Sequence, residues 1–115
     1  MLVTKIFTFD AAHQLTEYHG DCENLHGHTY RLVVTIDHPV QKDGMAFDFV
    51  EMKKIVRENV VDPLDHTYLN DLLDNPSAEI LAVWIWEKLT DLLPVKLHEI
   101  QVHETPTSYV TYRGE

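Results

Sequence analysis

The sequence has only one cysteine, Cys22, among its 115 residues, so no disulfide can form within the chain. Positive charge is also scarce, because 9 Lys and Arg oppose 19 Asp and Glu and leave a formal net charge of -10. Such an acidic chain is a poor general ligand for nucleic acid or for an anionic membrane surface. No stretch reaches the roughly 20 apolar residues of a membrane span, and the first residues lack the apolar run of a signal peptide. We therefore expect a soluble cytoplasmic protein.

The length and composition fit a single domain over residues 1–115. Hydrophobic residues make up 44% of the chain, which is enough to build a core. A domain of this size still leaves much of its surface exposed, so association with further copies is a natural way to bury more of it.

Hydrophobic periodicity predicts an α+β layer in the order ββααββ. The clearest element is the second strand, in which Tyr30, Leu32, Val34 and Ile36 alternate with other residues. Two helices are expected to cover one face of an antiparallel four-stranded sheet. The predicted strands are Leu2–Phe9, Thr29–Asp37, Leu97–Glu104 and Tyr109–Arg113, and the helices run from Asp48 to a stop at Asp62-Pro63 and from about Asn75 to Leu93.

Histidine is abundant, with 8 residues where average usage of roughly 2% gives two or three. His26 and His28 flank Gly27 at the start of the second strand, where residues two apart point to the same face about 7 Å from each other. Alone, this pair is equally compatible with two loop histidines. His13 follows the first strand, and three histidines without a fourth protein ligand are typical of a catalytic zinc site, although other transition metals fit the same donors. The expected bystanders are His19, His38, His98 and His103.

Three further positions attract attention. Cys22 lies in a polar loop four residues before His26, a setting that argues against a buried structural thiol and makes its reactivity depend on a nearby metal. Asp65 precedes His66 and could orient its imidazole, although such a dipeptide is more often a surface turn. Glu104 ends the third predicted strand, where an ordinary exposed acid is the simple interpretation.

Taken together and in order, these motifs resemble the 6-pyruvoyltetrahydropterin synthase / 6-carboxytetrahydropterin synthase family. The resemblance runs from the first strand to the last. The motifs found together in this order are specific for the family, although no single motif is. The matching residues are Phe9-x-x-x-His13, Cys22-x-x-x-His26-Gly27-His28-x-Tyr30, Leu64-Asp65-His66-x-x-Leu69-Asn70, Pro76-Ser77-x-Glu79 and Glu104-Thr105.

The resemblance implies a role for each candidate residue. It implies that Zn²⁺ is bound by three histidines, that Cys22 is the catalytic base, and that Asp65 and His66 relay protons. It further implies that Glu104 anchors the pterin ring. The implied zinc ligands are His13, His26 and His28.

The resemblance also implies the tunnelling fold, in which trimers close their sheets into a barrel and two trimers form a hexamer with active sites between subunits. The short spacing from Cys22 to His26 resembles the 6-carboxytetrahydropterin synthases of queuosine biosynthesis. The implied reaction converts 7,8-dihydroneopterin triphosphate to 6-carboxytetrahydropterin, acetaldehyde and triphosphate. Two alternatives remain, namely 6-pyruvoyltetrahydropterin formation from the same substrate and a non-catalytic pterin- or metal-binding module.

Overall fold

The computed structural model describes residues 1–16 and 24–115. Within these ranges the chain forms one five-stranded sheet in the order β3-β1-β2-β4-β5 and two helical segments. The strands are β1 (Leu2–His13), β2 (His26–Asp37), β3 (Thr67–Tyr68), β4 (Lys96–Thr105) and β5 (Ser108–Tyr112). The first helical segment comprises α1 (Phe49–Val56), a π-helical stretch (Arg57–Val61) and α2 (Asp62–Leu64). A short 3-10 turn at Leu69–Asp71 follows β3. The second helical segment is α3 (Ala78–Leu92).

The predicted α+β fold is confirmed, and the sheet differs from the prediction in its strand count. β1, β2, β4 and β5 pair antiparallel, whereas β3 pairs parallel with β1 at Ala11 and Ala12. The sheet is therefore mixed and has five strands rather than four. Two residues are too few to show an alternating pattern. The place of such a strand depends instead on contacts with distant parts of the chain, which the sequence pattern does not reveal.

The first helical segment continues past the predicted stop at Asp62-Pro63. Asp48 caps its start, with the carboxylate accepting the Val50 N–H at 2.9 Å. Just before Pro63 the helix widens, and the Asp62 N–H bonds the carbonyl of Arg57, five residues back. Proline has no N–H and its ring crowds the carbonyl four residues earlier, so a wider turn at this point lets the helix run on to Leu64.

The core lies between one face of the sheet and the helices. Phe7 and Phe9 of β1 and Leu32 of β2 are buried there against Val56 and Leu81 of the helical segments. Residues that alternate with these core positions form the opposite face of the sheet, which we call the open face. The open face includes the exposed side chains of Thr8, Asp10, Thr29 and Arg31. No helix among the described residues has the length and apolar character needed to cross a membrane.

Candidate active site

The β1–β2 ladder brings the three predicted histidine ligands together. His13 is the last residue of β1 and pairs directly with His26, the first residue of β2. The first strand thus extends four residues beyond its predicted end at Phe9, and His13 belongs to the strand. The Nε2 atoms of His13 and His26 are 3.0 Å apart, and the His28 ring lies 4.7 Å from that of His26 between centroids.

Main-chain carbonyls orient two of these imidazoles. His13 Nδ1 is 2.8 Å from the carbonyl oxygen of Pro76, and His26 Nδ1 is 2.8 Å from that of Asn24. A carbonyl oxygen only accepts hydrogen bonds, so each Nδ1 carries the proton and each Nε2 keeps its lone pair. Metal-binding histidines are commonly held in this way through the second ring nitrogen. The two lone pairs are therefore directed toward a shared position.

The carboxylate of Glu104 joins the histidine cluster. Its Oε1 lies 2.9 Å from His28 Nε2 and 3.7 Å from the Nε2 of the almost fully buried His13. One ligand atom from each of His13, His26, His28 and Glu104 lies within 4.8 Å of the others. The cluster could hold a metal ion, with Glu104 at its edge, 30% exposed.

The donor set and spacing fit zinc. Two imidazole nitrogens on one tetrahedral zinc ion, each about 2.0–2.1 Å from it, stand about 3.3 Å apart, close to the 3.0 Å between His13 and His26. Nitrogen and carboxylate donors also suit other transition metals, so the geometry defines a candidate metal-binding group rather than the identity of a metal.

A small pocket adjoins Glu104. Its volume is about 180 Å³, and it lies between the first turn of α3 and β5. Ser77 caps that turn by accepting the Ile80 N–H at 3.2 Å. The pocket is lined by Ala78, Glu79, Glu104, Ser108, Tyr109 and Val110.

Asp65 and His66, which the family resemblance pairs, contact each other, and the His66 side chain is exposed. His66 Nδ1 lies 3.1 Å from Asp65 Oδ2, and Asp65 Oδ1 accepts the Asp10 N–H at 2.9 Å. The hydrogen bond from the Asp10 main chain is the main cause of a lowered pKa of Asp65. Burial raises this pKa, and the contact with His66 lowers it further. The pair borders an open cleft of about 580 Å³ whose floor includes Ala11, Ala12 and Gly27.

The remaining histidines of the described chain lie outside the metal-binding group. His103 is on β4, where its ring stacks on Tyr109 with centroids 4.2 Å apart. Burial and the nearby charge of Arg31 lower the pKa of His103. His38 contacts the Pro39 carbonyl at 3.1 Å. Cys22 and His19 fall in the segment 17–23, outside the described residues.

Two supporting residues were missed by sequence reasoning. The side chain of Asn70 bonds both main-chain groups of Gln14, accepting its N–H at 2.9 Å and donating to its carbonyl at 2.7 Å. It thereby fixes the chain immediately after His13. Asp10 contacts Asp65 and His66 through its main chain. Asn70 stands inside a family motif, but neither partner is visible without the pairing of distant segments.

Strand histidines oriented by carbonyls and grouped with a carboxylate define an α+β domain with a candidate metal centre. A family model described as 6-pyruvoyl tetrahydropterin synthase matches residues 2–115. The chain therefore belongs to the 6-pyruvoyl tetrahydropterin synthase family.

Individual relatives agree with this assignment. The 6-carboxy-5,6,7,8-tetrahydropterin synthase of Synechocystis is 39% identical over 118 residues, covering 96% of this chain and 92% of that protein. The dihydroneopterin monophosphate aldolase of Pyrococcus furiosus is 42% identical over 99 residues, covering 84% of this chain and 83% of that protein. The structure of Caenorhabditis elegans 6-pyruvoyl tetrahydropterin synthase has a TM-score of 0.89 at 27% identity and covers 100% of this chain and 96% of that one.

Proposed function

We propose that this protein is a zinc-dependent lyase, a 6-carboxy-5,6,7,8-tetrahydropterin synthase that acts in queuosine (7-deazaguanine) biosynthesis. Its substrates would be 7,8-dihydroneopterin triphosphate and one water molecule, and its products 6-carboxytetrahydropterin, acetaldehyde and triphosphate. The observation that carries the proposal is the convergence of His13, His26 and His28 beside Glu104, in a chain similar over nearly its whole length to a synthase of that name.

His13, His26 and His28 would hold the zinc ion through their Nε2 atoms. The chemistry that a zinc ion held there would supply is that of a Lewis acid, which would make a C–H bond next to the substrate's side-chain oxygens more acidic. The hydrogen bonds from Nδ1 of His13 and His26 keep both rings in the tautomer that binds metal.

Glu104 would anchor the pterin ring in the adjoining pocket. The 2-amino-pyrimidinone edge of a pterin presents two adjacent N–H donors, which a carboxylate accepts in a bidentate way. Glu104 contacts His28 and also lines this pocket, which supports the role, because a ring held there would be close to the proposed metal ligands.

Proton transfer would be shared between Cys22 and the Asp65–His66 pair. Cys22 is proposed as the base that removes the C–H proton, with the zinc charge favouring its thiolate. His66 would pass protons to and from the substrate, and the carboxylate of Asp65 would stabilise its imidazolium form. The Asp10 N–H supports this role because it keeps Asp65 ionised.

A homohexamer of two trimers, with active sites between subunits, is the proposed assembly. Within the described residues β3 covers the edge of β1 only at Ala11 and Ala12, and β5 forms the other edge of the sheet. Apolar side chains are exposed near both edges, with Ile6 of β1 at 51% and Tyr109 of β5 at 54%. Joining the edges of neighbouring copies would cover both features. Lys or Arg side chains of an adjoining subunit would then meet the triphosphate, while nucleic acid and membranes are not expected partners.

Mass spectrometry of the pterin product tests the function. Zinc-loaded protein incubated with 7,8-dihydroneopterin triphosphate should yield 6-carboxytetrahydropterin. The Cys22→Ala protein should retain zinc and turn over roughly 10²–10⁴-fold more slowly, as expected for loss of a general base.

Other products would identify the alternatives. A 6-pyruvoyl product would favour the pyruvoyl synthase branch. Aldol cleavage of the pterin side chain, with dihydroneopterin monophosphate as substrate, would favour the activity named for the Pyrococcus relative. Pterin binding without turnover in zinc-loaded protein would favour a non-catalytic binding module.

A further inference from the structure

Asp10 occupies a central position between β2 and the Asp65–His66 pair. It faces Thr29 across the β1–β2 ladder on the open face, and its Oδ1 accepts the Thr29 hydroxyl at 2.5 Å. Its main chain contacts both members of the pair, since the Asp10 N–H bonds Asp65 Oδ1 at 2.9 Å and the Asp10 carbonyl accepts the His66 N–H at 2.6 Å. One residue thus connects β2 to both members of the pair.

The backbone of His66 has an unusual conformation at this point. Its φ of 59° lies in the left-handed region, which residues other than glycine rarely adopt. Such conformations persist where the surrounding structure over-determines them, and they concentrate at functional sites. Here the hydrogen bond from the His66 N–H to Asp10 and the start of the β1–β3 ladder at Thr67 both hold the peptide in place.

The carboxylate of Asp10 also adds charge beside the imidazole. One ligand atom from each of Asp10, Asp65 and His66 lies within 4.8 Å of the others, so two carboxylates border a single imidazole. Asp10, Thr29 and His66 line the same open cleft, which places this second carboxylate on the side from which His66 is accessible. The hydroxyl of Thr29 restricts the carboxylate to that side.

We propose that Asp10 is a positioning residue for the Asp65–His66 pair. Its main chain holds the carboxylate of Asp65 and the backbone of His66 in place. Its carboxylate, held by Thr29, stabilises the imidazolium that forms when His66 accepts a proton. The inference rests on the proposed function, in which His66 carries protons to and from the substrate.

The Asp10→Asn variant tests the carboxylate, because Asn keeps the shape and an oxygen that accepts the Thr29 hydroxyl but removes the charge. A charge about 4.8 Å away in water changes the imidazole protonation equilibrium about fourfold. We expect kcat of the zinc-loaded variant to fall roughly fourfold with little change in KM, since the interaction forms when the proton moves. Asp10→Glu restores the charge and should recover much of kcat.

A second measurement is independent of turnover. Diethyl pyrocarbonate acylates only unprotonated imidazole, and mass spectrometry reports the rate at His66 itself. Near pH 5.5, where an ordinary histidine is mostly protonated, the unprotonated fraction follows the protonation equilibrium closely, so acylation should be roughly three- to fourfold faster in Asp10→Asn than in the wild type. The matched control is Asp37→Asn, which removes a negative charge at the far end of β2, and its acylation rate should equal that of the wild type.

Three results would overturn the inference. The first is acylation of Asp10→Asn at the rate of the Asp37→Asn control. The second is an unchanged kcat in Asp10→Asn with faster acylation, and the third is a loss of kcat that Asp10→Glu does not recover. Failure of the wild-type protein to form product would instead contradict the proposed function, while the acylation comparison would still decide whether Asp10 acts on His66.

Discussion

His13 and His26 show how single residues build the metal-binding group. Each donates from Nδ1 to a main-chain carbonyl, Pro76 for His13 and Asn24 for His26. The two carbonyls come from different parts of the chain, yet they impose the same tautomer. A carbonyl cannot be removed by a side-chain substitution, so this orientation depends on the local backbone rather than on any partner side chain.

Removal of a histidine ligand should abolish stable metal binding. We expect purified His26→Ala and His28→Ala proteins to contain much less zinc than the wild type by elemental analysis, because two ligands cannot replace a convergent three-histidine set. His103→Ala is the matched control, since His103 is also a strand histidine but stacks on Tyr109. Full zinc content in both ligand variants would refute the assignment.

Glu104 should contribute to pterin affinity rather than to zinc retention. Glu104→Gln replaces one acceptor oxygen by a donor, so a pterin should bind roughly 10- to 100-fold more weakly, the usual range for a charge-assisted hydrogen bond. Titration with a non-reactive pterin and elemental analysis of the same samples measure both quantities. Glu99→Gln, on the same strand but bonded to Arg113, should change neither. Loss of zinc with unchanged pterin affinity would make Glu104 a metal ligand instead.

At the scale of the elements, the length of β1 determines whether the site forms. The alternation of Phe7 and Phe9 continues through Ala11 to His13, so the inward face includes the first histidine of the cluster. That continuation is present in the sequence, but the small residue at position 11 weakens it and the predicted strand ended at Phe9. The His-x-His spacing predicted a shared face for His26 and His28 only if the second strand began there, and β2 does begin at His26.

Other parts of the site depend on pairings between distant segments. Glu104 reaches His28 because β4 pairs with β2 in the register that sets Arg31 opposite His103. The side chain of Asn70 accepts a hydrogen bond from the main chain of Gln14, which lies 56 positions earlier in the sequence. Neither register nor such a contact follows from local periodicity, which is why the elements and the ligand types were predictable but the neighbours of Glu104 and Asn70 were not.

Asn70 should help the protein to retain a metal ion, because it holds the end of β1 next to His13 in place. Asn70→Ala leaves both main-chain groups of Gln14 without their side-chain partner, at an expected cost of about 1–3 kcal/mol. We expect faster zinc loss to a chelator and a lower melting temperature. Asn59→Ala removes one side-chain bond to the Ile55 carbonyl within the helical segment and should lower stability without changing zinc loss. Equal zinc loss in the two variants would show that Asn70 has no specific effect on the site.

At the scale of the whole molecule, residues 1–16 and 24–115 leave two edges of the sheet incompletely covered, with exposed apolar side chains near both. These features are costly for an isolated monomer and useful for a closed assembly. The net charge of -10 has the opposite effect, because like charges on neighbouring copies repel each other. The proposed hexamer would therefore rely on strand pairing and apolar contacts.

Sedimentation should detect the assembly directly. We expect a species of six chains, each of 13.4 kDa, at micromolar concentration and physiological salt. Lower salt should favour dissociation, because screening of the acidic surface is then weaker. A stable monomer under the first condition would rule out the proposed hexamer.

The proposed enzyme converts 7,8-dihydroneopterin triphosphate with loss of a two-carbon fragment. The most direct test is to quantify acetaldehyde and triphosphate released by zinc-loaded wild-type protein in the same reaction. We predict one acetaldehyde for each triphosphate and for each 6-carboxytetrahydropterin formed, and none of the three products from the His28→Ala protein. Triphosphate release without acetaldehyde would contradict the claim.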